Sequence, residues 1–321
     1  MPYRKRFRRG DPDDRPGIDF TDRDAELLRI AYDYEPATTE IINALAPRQT
    51  MGPGLRAYYE RTRPTVATAS AAPGTRREIY RRLGKLFDHG YVDRRKLRSA
   101  NDPTVHLVGD LGMDELVARF HYARKRIDWQ ARNKAIGDSH LWHSLMISSF
   151  HCALELAAQM VANTSIPFWL ADGSVKEYVT FEDDDENTYT VPVIPDATTA
   201  LKRASRPFNY FVEADRTTTD HRRYLQKLKG YVHFARQGLH RTLLNIAGFE
   251  VLTLTKSVER RDNLCAMAEE TFGRPKDRKL FWFATEKDTW RDPLGKIRAE
   301  ALLEPIWYLP GEDEPRALLT R

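Results

Sequence analysis

The sequence predicts a two-domain chain of mixed helix and strand, an α+β domain followed by an α/β domain. Three observations carry this. With 321 residues, 41% of them hydrophobic and 30% charged, the chain can bury two cores and is far from the composition of a disordered protein. Charge divides unevenly: up to Ala135 there are 27 Lys and Arg against 19 Asp and Glu, a net of +8, while the remainder has 24 against 27, a net of −3. The hydrophobic period also changes, from helical spacing before about Ala162 to β-prone runs from Phe168 onward.

No apolar run approaches the length needed to cross a bilayer. The basic start Met1-Pro-Tyr-Arg-Lys-Arg-Phe-Arg-Arg9 is followed by no apolar stretch, so a cytosolic (cytoplasmic) protein with no membrane partner is expected. Cys152 and Cys265 lie far apart in apolar helical contexts, with neither a CxxC spacing nor a histidine cluster. This argues against structural zinc and a disulfide scaffold and predicts two buried thiols. The basic half is the candidate for nucleic acid, because concentrated Lys and Arg release counterions from a phosphate backbone.

Residues 1–17 are basic, then acidic, and lack a hydrophobic period, which predicts a disordered basic arm. A folded domain is expected over residues 18–112. Thr21 is placed to cap a helix carrying Ala25, Leu28, Ile30, Ala31 and Tyr32, with Asp22 and Asp24 in its positive first turn. Thr38 or Thr39 caps a second, containing Ile41, Ile42 and Leu45 and ended by Pro47. The segment Gln49–Gly74 is an irregular insertion whose role the sequence does not reveal. A third helix opens at Thr75, with Ile79, Leu83, Leu86 and Phe87 on its buried stripe and Arg77, Arg81 and Lys85 at i, i+4, i+8 on another face. A turn at Gly90, a basic strand, a reversal at Ser99–Pro103 and the strand Val105–Val108 complete a two-stranded wing. Three helices and a wing match a winged helix-turn-helix, whose third helix enters the major groove of double-stranded DNA while the wing touches backbone. Arg76, Arg77, Arg81, Arg82 and Lys85 are the recognition-helix candidates, and Arg94, Arg95, Lys96 and Arg98 the wing candidates. The competing reading of the same arginines is a solvated helix face or a protein-docking surface.

Residues 113–138 are expected to form a helical connector, with helix continuing to about Ala162 after a break near Gly137-Asp138. Past the break, His140 and His143 share a helix face and His151 follows. No third ligand stands at a recognised spacing, so structural histidines are expected. Glu155 lies later on the same helix.

Downstream, Tyr178–Phe181, Thr188–Ile194 and Phe208–Val212 read as an antiparallel meander. Its acidic turn, Glu182–Glu186, is a solvated hairpin tip, since consecutive side chains on an extended segment diverge. A helix over Asp220–Phe234, a strand over Glu250–Thr255, a helix over Arg261–Phe272 and a strand over Lys279–Ala284 follow. The order α-β-β-β-α-β-α-β predicts a mixed sheet flanked by helices over residues 139–310, with 311–321 as a tail. Pro195-Asp196 closes one β-prone run and Glu213-Ala214-Asp215 another. Carboxylates at buried strand ends need a partner, and two or three that converge suit Mg²⁺; taken alone they also read as ordinary strand-terminating acids.

That element order, with Asp196 ending the second strand and Glu213-x-Asp215 the third, resembles the restriction-endonuclease-like PD-(D/E)xK core. A narrower set of motifs resembles the replication-relaxation family, DNA-binding proteins of plasmids and integrated mobile elements, over residues 18–310. These are Thr21-x-Arg23-Asp24, the Arg81–Arg94 run into the wing, Pro195-Asp196-Ala197, Phe211-Val-Glu-Ala-Asp215, Lys227-Leu-x-x-Tyr231 and Pro305-Ile-Trp307. The nuclease likeness implies that Asp196, Glu213 and the Ala214 carbonyl hold Mg²⁺, with Asp215 as a third carboxylate, and that metal-activated water attacks a phosphodiester. Asp215 stands where the active pattern has Lys and cannot assist the attacking water. Lys227 either substitutes from the following helix, facing the acids together with Tyr231, or pairs with Asp215 in a structural salt bridge.

The sequence thus points to a DNA-binding protein serving replication or mobilisation of such an element, with a nuclease-like domain that is either a metal-dependent endonuclease (nickase) or a degenerate, inactive version. The alternative is a winged-helix transcriptional regulator with a dimerising or ligand-sensing domain. The helices between the domains offer a homodimer surface for a palindromic site.

Overall fold

A computed structural model describes residues 17–46, 76–97, 102–123, 127–171, 173–182, 186–216, 220–286, 289–292 and 295–319. The arm before Gly17, the Gln49–Gly74 insertion and Arg98 lie outside the described residues. The chain divides into two compact units, residues 1–152 with 293–297, and residues 153–292 with 298–321.

In the first unit, α1 (Asp22–Asp33) starts at a capping box. The Asp24 N–H donates to Thr21 Oγ1 at 3.4 Å and the Thr21 N–H donates to Asp24 Oδ2 at 2.8 Å. Strand β1 (Ala37–Thr38) leads into α2 (Thr39–Leu45), where Thr38, the first of the two expected caps, accepts the Ile41 N–H at 3.2 Å. Helix α3 (Arg76–Asp88) buries Ile79, Leu83, Leu86 and Phe87, the expected stripe. Gly90, at φ +83°, turns the chain into β2 (Val92–Lys96), which pairs antiparallel with β3 (Thr104–Val108). Strand β1 adds to the free side of β3 and gives the order β1-β3-β2. Leu27, Leu28, Ile30, Ile41, Ile42, Val105 and Leu107 complete the core.

The region read as one broken helix from Met113 is three helices: α4 (Asp110–Phe120), α5 (Trp129–Ala135) and α6 (Asp138–Met160). Asp128 begins α5 by accepting the Ala131 N–H at 2.8 Å, a cap inside a charged stretch without apolar period.

The second unit holds a mixed sheet in the order β11 (Phe281–Thr285), β10 (Glu250–Thr255), β9 (Arg206–Asp215), β8 (Ala197–Arg203) and β4 (Thr164–Ser165), with β5 (Trp169–Ala171) also pairing β8. The expected meander is corrected here. Strands β6 (Glu177–Glu182) and β7 (Thr188–Val193) pair with each other in a separate two-stranded sheet. The partner of β9 (Arg206–Asp215) is β8 (Ala197–Arg203), a strand the sequence reading missed. The first five residues of β8, Ala-Thr-Thr-Ala-Leu, are all buried, so the segment shows no apolar-polar alternation, and it contains little bulk to mark it as core. After β9 come α7 (His221–Arg236), a short turn of helix, α8 (Leu239–Thr242), β10 (Glu250–Thr255), α9 (Val258–Thr271), α10 (Pro275–Arg278) and β11 (Phe281–Thr285). Strand β10 runs parallel to both β9 and β11, with Thr255 in register with Asp215 and Thr285, so three strands end flush.

An aromatic-rich core of Phe211, Tyr224, Tyr231, Phe234, Phe249, Phe281 and Phe283 joins the sheet to α7, with the β6–β7 hairpin packed on α7 and α9 packed on β10 and β11. Gly230 permits this: a Cβ there would stand 3.1 Å from Val191 Cγ1 of β7. The two thiols are free. Cys152 is buried and its pKa pushed up, whereas Cys265, also expected to be buried, is partly exposed, with burial raising it to about 11.

Candidate nucleic-acid interface and strand-end carboxylates

The arginines of α3 fall into two sets. Arg76 pairs with Glu40 of α2, and Arg82 donates to Asp24 of α1 through Nε at 2.5 Å and to the Asp19 carbonyl at 2.6 Å. Asp24 is 1% exposed. Burial pushes its pKa up, but the Arg82 and Thr21 bonds outweigh this and leave it below the usual carboxylate value. Arg77, Arg81 and Lys85, by contrast, are exposed at i, i+4, i+8, and among the described residues they carry no ion pair. Tyr80 flanks this stripe on the same helix, 42% exposed, with the Arg94 guanidinium of β2 stacked 4.5 Å from its ring centroid.

Two more of the cations expected on the wing, Arg95 and Lys96 of β2, are also held within the fold. Arg95 donates to the Asn133 carbonyl at 3.2 Å and to Asp138 Oδ1 at 2.8 Å, and also to the Ile136 carbonyl. Lys96 Nζ donates to the Asp102 carbonyl at 3.0 Å. Sequence spacing identified the exposed stripe of α3. It could not separate Arg76 and Arg82 from it, because their partners come from α1 and α2.

The histidines of α6 differ in burial, His140 being exposed and His143 half-buried. His151 is buried and stacks on Tyr34 at 4.3 Å between centroids, and burial lowers its pKa to about 3. His140 Nε2 lies 3.5 Å from Ser144 Oγ.

In the second unit the β8–β9 hairpin brings the acids together. Antiparallel pairing sets Ala197 opposite Val212, so Asp196, just before β8, meets the end of β9. Its Oδ2 accepts the Ala214 N–H at 2.8 Å, which extends the ladder by one side-chain bond. On β9, alternation puts Phe211, Glu213 and Asp215 on one face. Phe211 packs on Tyr231 in the core, and Glu213 and Asp215, each 2% exposed, continue that row toward the strand end.

Each of these acids has a protein partner. One Glu213 oxygen accepts from Lys227 Nζ and the other from the Tyr231 hydroxyl, two residues one turn apart on α7. Asp215 is gripped by Arg260 of α9, Nε to Oδ1 and a terminal nitrogen to Oδ2, both at 3.0 Å. The Lys227–Asp215 pairing considered from the sequence is therefore replaced by Lys227–Glu213. Burial pushes the Glu213 pKa up to about 7; Lys227 and Tyr231 oppose that rise and the Asp196 charge adds to it. Burial alone would lower the Lys227 pKa, but the charges of Glu213, Asp196 and Asp215 raise it. Arg260 escaped the sequence reading. It lies 45 residues beyond Asp215, and only the flush ends of β9 and β10 bring the start of α9 alongside.

Mg²⁺ takes carboxylate oxygens in near-octahedral geometry. Here both Glu213 oxygens accept protein hydrogen bonds, both Asp215 oxygens face Arg260, and one Asp196 oxygen holds a backbone N–H. As placed, these side chains do not fit that ion. Among the described residues no group of three or more His, Cys, Asp and Glu is arranged to hold a metal. Nor, among them, is any helix long and apolar enough to cross a membrane.

Comparison with known proteins agrees with the family resemblance over part of the 18–310 span, leaving the motifs at Thr21–Asp24 and Pro305–Trp307 outside the match. The family described as replication-relaxation matches residues 59–246, a span that takes in the stripe of α3, the β2–β3 hairpin and the acids Asp196, Glu213 and Asp215. No curated protein and no solved structure matches the chain. Because that match covers more than half of its length, the chain belongs to the replication-relaxation family.

Proposed function

We propose that this protein binds double-stranded DNA in the replication or mobilisation of a plasmid or integrated mobile element, and that it grips DNA without cutting it. Its first unit is read as a winged helix-turn-helix, with α3 as the recognition helix and β2–β3 as the wing. The observation that carries this is the division of cations on α3. Arg76 and Arg82 are tied to Glu40 and Asp24, whereas Arg77, Arg81 and Lys85 stand exposed in one stripe. A stripe spanning eight residues is about 12 Å long, enough to follow the phosphates along one wall of a groove. Tyr80, backed by Arg94, adds a flat surface along one side of that stripe.

The second unit is read as a nuclease-related scaffold whose strand-end acids serve structure. Support comes from the Asp215–Arg260 pair at the position where the active pattern needs Lys, and from the hydrogen bonds that Lys227 and Tyr231 of α7 place on the two Glu213 oxygens.

Fluorescence anisotropy on a labelled duplex over a salt series tests the DNA claim. Replacing Arg77, Arg81 and Lys85 with Ala lowers affinity and flattens the dependence of log K on log salt by roughly 3, about 0.9 per phosphate contact. Unchanged affinity and slope in that variant would remove α3 from the interface.

A further inference from the structure

We infer that Lys227 is the resident cation of the strand-end carboxylates: its ammonium takes the part a divalent ion plays among such acids and makes the centre a metal-independent latch between α7 and β9. This deepens the reading of the second unit as a non-cutting scaffold and does not depend on where DNA binds.

The geometry argues for it in three steps. Asp196, Glu213 and Asp215 bring three acids to one strand end, an arrangement that requires positive charge nearby. Arg260 answers Asp215 with two bonds, and the Ala214 N–H answers one oxygen of Asp196, which leaves Glu213 with the greatest need for a cation. Glu213 is 2% exposed and takes Lys227 on one oxygen and Tyr231 on the other. The charges of all three acids act on that ammonium.

The second feature is what the bonds connect. Lys227 and Tyr231 occupy the same face of α7 one turn apart, so a single carboxylate pins a full helical turn against β9. A divalent ion on Glu213 would set a second cation beside Lys227 on the same carboxylate, and their repulsion would weaken the polar attachment of α7 to the strand. The latch and a metal therefore compete for Glu213.

The test uses the full-length protein: the wild type and the variants Lys227→Met, Glu213→Gln and Lys227→Met/Glu213→Gln. Thermal unfolding is followed in EDTA, Mg²⁺ and Mn²⁺, and Mn²⁺ binding to the wild type is read by electron paramagnetic resonance. The wild type is expected to unfold at one temperature in all three conditions and to hold no Mn²⁺ that Glu213→Gln removes. Lys227→Met drops the midpoint by several degrees. Adding Glu213→Gln then recovers part of that loss, since no buried charge remains without its partner. A wild-type midpoint raised by either ion and returned to baseline by Glu213→Gln would overturn the inference. So would a Lys227→Met protein as stable as wild type, or a double variant whose loss equals the sum of the single losses. If Lys227→Met does not fold, the wild-type Mn²⁺ titration against Glu213→Gln decides alone. None of these readouts contains DNA, so a failure here is separable from a failure of the DNA-binding reading.

Discussion

Arg260 closes on Asp215 with two parallel bonds of 3.0 Å, which fixes the start of α9 to the end of β9. The side chains are 14% and 2% exposed, so the pair is largely desolvated, and removing or reversing one partner strands the other charge. Asp215→Lys, which writes the residue of an active nuclease into this position, sets an ammonium against the Arg260 guanidinium. The expected loss is about 3–5 kcal/mol in urea unfolding, with no cleavage gained. A stable Asp215→Lys protein would show that the pair holds little together.

The two sets of α3 arginines should separate in experiment. Arg82→Ala leaves Asp24, 1% exposed, without its cation and weakens the α1 capping box that Asp24 also serves. A loss of about 2–3 kcal/mol is expected, in the range for a charged hydrogen bond removed at a buried acid. Arg81→Ala, one residue away and exposed, should leave stability within about 0.5 kcal/mol and act on DNA affinity alone. Paired unfolding and binding measurements on both variants check the division.

His151 gives the stability curve an acid slope. Burial holds its pKa at about 3, below the ordinary 6.5, so the folded protein binds fewer protons than the unfolded chain between those values. Its contribution is fully present above pH 6.5 and is lost as pH falls toward 3, at up to about 1.4 kcal/mol per pH unit. His106 is also held well below its usual pKa by burial, with the Arg94 charge adding to that, and keeps part of the slope. His151→Phe retains a ring against Tyr34 and should flatten the slope between pH 6.5 and 4 in urea titrations; an unchanged slope would refute the assignment.

Gly112 marks the tightest approach in the first unit. A Cβ on this residue of α4 would lie 2.1 Å from the Tyr91 carbonyl oxygen, a backbone atom next to β2. Gly112→Ala forces α4 from the chain entering β2 and should destabilise by about 1–3 kcal/mol, although alanine favours helices. Urea midpoints of the two proteins settle it.

How far the sequence could be read followed from how local each cause was. Thr21 and Thr38 cap the helices they precede, and the stripe of α3 is set by spacing alone, so these were legible, whereas Asp220, read as the first residue of its helix, is in fact the cap of α7. The strand over Glu250–Thr255 agreed in both bounds because it is a continuous β-prone run. Strand β8 was not legible. Buried along its first five residues and built of Ala and Thr, it has neither a period nor bulk. Missing it tied the β6–β7 hairpin to the wrong neighbour, although the encounter of Asp196 with Glu213 was anticipated. Partnerships across long separations, Arg82 with Asp24 and Arg260 with Asp215, depend on packing that no local pattern encodes.

The most direct test of the central claim, a DNA grip without cleavage, incubates the protein with supercoiled plasmid and a labelled duplex. Mg²⁺, Mn²⁺ and EDTA are compared, beside the Arg77→Ala/Arg81→Ala/Lys85→Ala and Asp196→Ala/Glu213→Ala variants. The account predicts band shifts in all three conditions that the triple variant loses, with plasmid left supercoiled throughout. Metal-dependent nicking that disappears in the Asp196→Ala/Glu213→Ala protein would contradict it.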